Sequence, residues 1–116
     1  MADDIYLPFT YLIGWTKLNK WYYGARWCKK AHPSQLWSSY FTTSKHVKKF
    51  REENGEPDFI QVTQTFSTAE ETVKAESYVL KFIDAKGHSN FLNRSNGYGT
   101  LPSIFALMEF SENYEE

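Results

Sequence analysis

The apolar positions along the chain fall into short alternating runs and one long helical stripe. Residues 9–15 (FTYLIGW) are dense in aromatic and branched side chains and predict a strand. A short polar connection follows at residues 16–20 (TKLNK), and residues 21–25 (WYYGA) predict a second strand. The pair is therefore expected to form an antiparallel hairpin. His32-Pro33 breaks any helix entering it, because the proline ring disfavours helical backbone in the residue before it. Residues 44–54 (SKHVKKFREEN) set Val47 and Phe50 three apart among polar neighbours, with Gly55 as a stop, and predict a short helix. Residues 58–66 (DFIQVTQTF) predict a third strand.

The clearest element is a helix over residues 68–85. Ser67 and Glu70 are spaced as a capping box, and Lys86-Gly87 supplies a stop. Ala69, Val73, Leu80 and Ile83 form one stripe at helical spacing, with Val79 at its edge. Glu76 falls inside that stripe. A carboxylate on an apolar face is costly to bury unless it is paired or bound to a metal. Two readings of Glu76 follow: half of a structural ion pair, or a ligand or catalytic carboxylate. Beyond the helix, residues 88–97 are polar and turn-rich. Residues 101–110 (LPSIFALMEF) are expected to pack back as a short helix, with residues 111–116 mobile. The expected organisation is an N-terminal tail (1–7), one α+β domain (8–97) and a C-terminal extension (98–116). Its centre is a small three-stranded antiparallel sheet flanked by helices.

Composition narrows the class. The 116 residues allow one core of ordinary size, and aromatic side chains reach 18%. No apolar run approaches the roughly 18 residues of a membrane span, and the acidic start is unlike a signal segment. A single cysteine, Cys28, excludes an internal disulfide framework and a cysteine-cluster zinc site. His32, His46 and His88 lack the i, i+4 spacing of a histidine metal cage. No membrane partner and a reducing cytoplasm are expected.

Charge changes the picture more. Net charge is −1, yet no Asp or Glu occurs between Ile5 and Arg51, a stretch holding nine cations. The remaining chain holds all fourteen acids against four cations. Trp15, Trp21, Trp27 and Trp37 all lie in the basic part. Such a segment reads either as a one-sided face for a polyanion or as a solvated charge run over core tryptophans.

With these elements in order, the chain resembles the GIY-YIG nuclease family. Thr10-Tyr11-Leu12 stands where the first hairpin motif belongs and Tyr22-Tyr23-Gly24 where the second does, eleven residues on. Arg26 matches the family arginine, Glu76 the metal-binding glutamate, and Asn93 in Phe-Leu-Asn the terminal asparagine. The resemblance covers about residues 8–97. The run YYGARW…HPSQLWSSYFTTSKHVKKFREENGEPDF looks like small phage-encoded members assigned as homing endonucleases, and a phage-encoded protein of this kind would be expected in the host cytoplasm. The first motif departs from the pattern: it lacks the glycine and middle isoleucine. Arg26 also lies only four residues after Tyr22, with Lys29, Lys30 and His32 standing further on.

The resemblance implies a metal-dependent DNA endonuclease. Glu76 would hold Mg²⁺ or another divalent cation such as Mn²⁺, which polarises the scissile phosphate. Tyr22 would position or deprotonate the attacking water, assisted by Tyr11, since a phenol ordinarily titrates near about 10. Arg26 would place its planar fork on the phosphate. His32 is a candidate second proton-transfer or phosphate group, and Asn93 would hold the backbone of the site. Lys29, Lys30, Lys45, Lys48 and Lys49 are expected to contact the DNA backbone. No separate specificity domain is evident, so a homodimer or a partner protein is expected to supply target recognition. The alternative on the same scaffold is a non-catalytic nucleic-acid-binding or inhibitor protein.

Overall fold

The structure, a computed structural model, describes residues 5–42 and 44–93. The expected C-terminal extension, its short helix and residues 1–4 of the tail lie outside the described residues. Three strands, β1 (Phe9–Trp15), β2 (Lys20–Arg26) and β3 (Phe59–Thr65), and two helices, α1 (Lys45–Asn54) and α2 (Ala69–Ile83), make up the body. Short 3-10 turns occupy Thr16–Leu18, Pro33–Gln35 and Ala85–Gly87. The α+β class read from the sequence holds, with one antiparallel sheet in the order β2-β1-β3.

The hairpin forms because its connection can turn tightly. Thr16–Leu18 makes one 3-10 turn and Asn19 takes the left-handed conformation at φ 51°, a region asparagine tolerates. Asp58 ties this turn to β3 by accepting the Thr16 N–H at 2.8 Å and its hydroxyl. The resulting register opposes Tyr11 to Gly24 and Ile13 to Tyr22. On the other side of β1, Tyr11 opposes Val62, after a register shift between Thr10 and Tyr11.

Strand alternation then sorts the core into two faces. On one face Phe9, Tyr11, Ile13 and Trp15 are buried with Tyr40 and Val47, and Tyr22, Trp37, Phe50 and Val62 pack against them. The segment from Leu36 through α1 covers this face. Ser44 caps α1 by accepting the Val47 N–H, and Trp15 fixes the far end by donating its indole N–H to the Gly55 carbonyl at 2.8 Å. On the opposite face α2 lays Val73 against Ala25 and Trp27, and Leu80 against Tyr23. Burying a side chain such as Leu80 stabilises the packing by about 1.5–3 kcal/mol.

The N-terminal boundary of α2 differs by one residue from the sequence expectation. Thr68, not Ser67, is the N-cap: its hydroxyl accepts the Glu71 N–H at 3.1 Å. The run Ser67-Thr68-Ala69-Glu70-Glu71 contains the capping spacing twice, and only the later one brackets the helix. At the other end Asp84, left-handed at φ 50°, stops α2 before Lys86-Gly87 is reached. Within α2 the buried face also takes in Thr72 and Ser77, and Glu76 on that stripe is half-buried.

The chain after α2 returns to the outer edge of β2. Trp21 N–H donates to the Asn90 carbonyl at 2.8 Å and Leu92 N–H to the Trp21 carbonyl at 2.7 Å, so residues 90–92 run alongside β2 as a short partner. Residues 6 and 7 are likewise tied down, by the Tyr6 hydroxyl on the Trp27 carbonyl and the Leu7 N–H on the Ala31 carbonyl. No helix among the described residues is long and apolar enough to cross a membrane.

Candidate functional site

The two hairpin motifs meet through a glycine. Tyr11 faces Gly24 across the β1–β2 ladder, and a Cβ on Gly24 would stand 2.6 Å from the Tyr11 hydroxyl and 2.8 Å from the Tyr22 ring. Any larger residue at position 24 therefore separates the two tyrosines, whose ring centroids lie 6.2 Å apart. The glycine of Tyr22-Tyr23-Gly24 is thus a steric requirement of the tyrosine pair.

Tyr11 is 1% exposed, and its hydroxyl lies 3.2 Å from the Tyr40 hydroxyl and 3.4 Å from the Thr42 hydroxyl. Burial, and then the neighbouring Tyr40 and Tyr22, push its pKa well above the ordinary phenol value. Tyr11 is a neutral, fully enclosed phenol. Tyr22 differs: it is half-buried, on the same face and nearer the surface.

Arg26 ends β2 on this face. Its Nε–H donates to Gln35 Oε1 at 2.8 Å, and its guanidinium carbon stands 4.5 Å from the centroid of the Tyr40 ring. Arg26 opens into a cleft of about 680 Å³ that is also lined by Tyr40, Thr42, Lys48 and Arg51 and by two carboxylates, Glu52 and Glu56. At its far wall the Arg51 guanidinium lies 4.7 Å from the Phe41 ring and 5.2 Å from the Trp37 ring. Glu56 bridges that wall, accepting from Arg51 Nε at 2.6 Å and from the Trp37 indole at 2.9 Å. These two bonds, the Arg51 one first, hold the Glu56 carboxyl below its usual range.

The other expected site residues are distributed around this cluster. His32 is half-exposed and begins the Pro33–Gln35 turn, its Nδ1 accepting the Ser34 N–H at 3.1 Å. Asn93 is buried, and its amide group pairs with both main-chain groups of Tyr23: Oδ1 accepts from N–H at 3.1 Å and Nδ2 donates to the carbonyl at 2.8 Å. It continues the pairing begun at Asn90 and Leu92, and so pins the strand between Tyr22 and Gly24. Glu76 lies on α2, which packs behind β2 on the face opposite Tyr11 and Tyr22. The expected convergence of Tyr11, Tyr22, Arg26 and Glu76 on one face therefore does not form: the helix that carries Glu76 covers the opposite face, and any approach of its carboxylate to the tyrosines runs round the β2 edge of the sheet. Lys29, Lys30, Lys45, Lys48 and Lys49 are all exposed, and of these Lys48 lines the cleft.

Four residues that shape this site carry no family motif: Gln35, Tyr40, Thr42 and Arg51. Gln35 had a local signal, since it stands three residues after the N-cap His32, the spacing of a capping box. Tyr40 and Thr42 meet Tyr11 across 29 and 31 residues of chain, a pairing without periodic trace. Among the described residues no group of three or more His, Cys, Asp or Glu is gathered as for a metal ion. Mg²⁺ is commonly held by one or two carboxylates together with substrate phosphate oxygens, a donor set with which the single carboxylate of Glu76 is compatible. The chain matches no family model, no curated protein and no solved structure.

Proposed function

We propose that this protein is a metal-dependent DNA endonuclease of the GIY-YIG type, hydrolysing phosphodiester bonds at the tyrosine face of its sheet. The observation that carries the reading is the pair Tyr11 and Tyr22, closed over Gly24, beside an arginine held at the mouth of a cleft with two further cations. That arrangement offers what the reaction requires: a phenol near the surface, a planar cation for the phosphoryl oxygens, and a cleft where three cations outnumber two carboxylates.

The Tyr22 phenol oxygen orients the attacking water and accepts its proton while its own O–H proton passes on to solvent. Water oxygen bonds to phosphorus, the bond to the 3′ oxygen breaks, and that oxygen takes a proton from solvent. Tyr11 is too deeply buried to meet substrate and acts by fixing the Tyr22 ring. Arg26 neutralises the phosphoryl oxygens, with Lys48 and Arg51 guiding the flanking backbone. Glu76 would hold Mg²⁺ or Mn²⁺, which would supply positive charge to a phosphate reaching round the β2 edge of the sheet. His32 caps the turn that carries Gln35, and Asn93 fixes the Tyr23 backbone. A second copy of the chain or a partner protein supplies site specificity.

The position of α2 behind the sheet favours a second reading, a nucleic-acid-binding module that uses the same cleft without cleaving. Incubation of supercoiled plasmid with the protein and Mg²⁺, beside a filter-binding titration on the same DNA, separates the two. Nicked or linear product that disappears with chelator supports the nuclease. Tight, salt-sensitive binding with the plasmid left intact supports the binding module.

A further inference from the structure

Two of the restraints on Arg26 lead to one residue. Its Nε–H is taken by Gln35 Oε1 at 2.8 Å, and its guanidinium lies over the Tyr40 ring. The Gln35 side chain is itself fixed: Nε2 donates to the Lys30 carbonyl at 2.8 Å, and Oε1 also accepts the His32 N–H at 3.1 Å. The Gln35 main-chain carbonyl accepts the N–H groups of Ser38, Ser39 and Tyr40, the last at 2.8 Å. Gln35 thus holds the guanidinium directly and seats the ring beneath it.

The chemistry of an amide suits this task. A carboxylate at the same place would bind the guanidinium more tightly but cancel the charge a phosphate needs. The amide oxygen sets the plane of the fork and leaves its net charge intact. Guanidinium recognition of phosphate is directional, and a misplacement of about 1 Å at a reacting group lowers rate about a hundredfold.

We propose that Gln35 is the positioning residue for Arg26, orienting its guanidinium toward the scissile phosphate. This rests on the nuclease reading above. The test is steady-state cleavage of duplex DNA with Mg²⁺ by the parent, Gln35→Ala, Gln35→Glu, Arg26→Ala and the Gln35→Ala/Arg26→Ala pair, with the ¹⁵N-resolved Arg26 Nε–H signal recorded alongside. Gln35→Ala is expected to lower kcat by about ten- to a hundredfold, with KM changed by less than about threefold, and to shift the Nε–H signal. In the Arg26→Ala background the same change should add no further loss, because its target is gone. Gln35→Glu keeps the acceptor for Arg26 and for the His32 N–H and gives up only the donation to the Lys30 carbonyl, so a thermal melt on it separates loss of charge from loss of fold. It should keep a hydrogen-bonded Nε–H while lowering kcat and flattening the salt dependence of DNA binding. Parental kcat in Gln35→Ala, or an undiminished loss in the Arg26→Ala background, overturns the proposal. A parent that does not cleave overturns the nuclease reading and this role with it, whereas an active parent indifferent to Gln35 overturns this role alone.

Discussion

The Tyr11 hydroxyl lies 3.2 Å from the Tyr40 hydroxyl, and Tyr40 carries the Arg26 guanidinium 4.5 Å above its ring. The central strand is thereby joined to the cationic rim by one buried phenol pair. Tyr11 reaches the rim through Tyr40 and Thr42, while Tyr22 stands nearer solvent on the same face.

The two motif tyrosines should separate experimentally on that difference. Tyr22→Phe removes the hydroxyl proposed to act on water and should lower cleavage at least about a hundredfold, the range of general acid–base contributions. Stability should change by less than about 1 kcal/mol, since the ring and its packing remain. Tyr11→Phe should do the reverse. It strips a partner from the buried Tyr40 and Thr42 hydroxyls, costing about 1–3 kcal/mol, and leaves most of the cleavage rate. Melting curves and rates on the two variants check the assignment; a Tyr11→Phe protein as inactive as Tyr22→Phe contradicts it.

Alkaline pH provides a second check. Burial raises the Tyr11 pKa well above its usual value and, together with Cys28, raises that of Tyr6 to about 12. In the unfolded chain both phenols release protons near about 10. The folded state then binds more protons than the unfolded one, so stability falls as pH rises. The contribution is fully present below pH of about 10 and is lost as pH climbs through the folded-state values. Thermal melts between pH 8 and 11.5 should show Tm falling above pH of about 10, and less steeply in Tyr11→Phe. Equal slopes in parent and variant would place the Tyr11 hydroxyl in contact with water.

Glu56 occupies one of the cleft cations. Its carboxylate holds the Arg51 Nε at 2.6 Å, so a DNA phosphate approaching Arg51 meets a guanidinium whose charge is already partly offset. Glu56→Gln should tighten DNA binding and steepen its salt dependence by about one contact, or about 0.9 in the logarithmic slope. Lys48→Ala should flatten the slope by a similar amount. Lys49→Ala should do less, because Lys49 is exposed on α1 and is not among the lining residues of the cleft. Anisotropy titrations of a labelled duplex across a salt series measure all three. Indifference of the slope to Lys48 and Glu56 alike would remove the cleft from the DNA path.

The legibility of this molecule in its sequence followed the range of the interactions. The three strands, both helices and the antiparallel pairing of the hairpin were readable because each has a local signal: aromatic and branched side chains in residues 9–15, a helical stripe in α2, and Gly55 after α1. The α2 N-cap slipped by one residue because two Ser/Thr–Glu pairs overlap there. The pair Tyr11 and Tyr22 came from the family resemblance, and the hairpin register brings the two onto one face. The placement of α2 was not. Periodicity says which stripe of a helix is buried but not which face of the sheet receives it, and that depends on the whole return of the chain from β3. Tyr40, Thr42 and Arg51 were equally silent, for their roles arise from contacts with distant strands or from a loop outside any repeat.

Glu76 decides between the remaining readings most sharply. It is a half-buried carboxylate on the sheet-facing stripe of α2, flanked at helical spacing by buried Val73 and Leu80. Glu76→Gln keeps the volume and removes the charge. If the residue holds Mg²⁺ in the working enzyme, the variant should bind DNA as the parent does and lose metal-dependent cleavage. In metal-free buffer its stability should be unchanged or raised, because a partly desolvated charge has been removed. Raising Mn²⁺ or Mg²⁺ should not restore the rate. If Glu76 serves instead as half of a structural ion pair, the same substitution leaves a cation without its counter-charge. The melt should then fall by the equivalent of about 3–5 kcal/mol for a buried pair, and by less for one partly open to water. Cleavage, where present, would persist in the folded fraction. Melting curves, DNA titration and plasmid cleavage on this single variant therefore give different patterns for the two cases. A protein that melts early yet cuts at the parental rate per folded molecule would exclude Glu76 from the active site and leave α2 a purely structural helix.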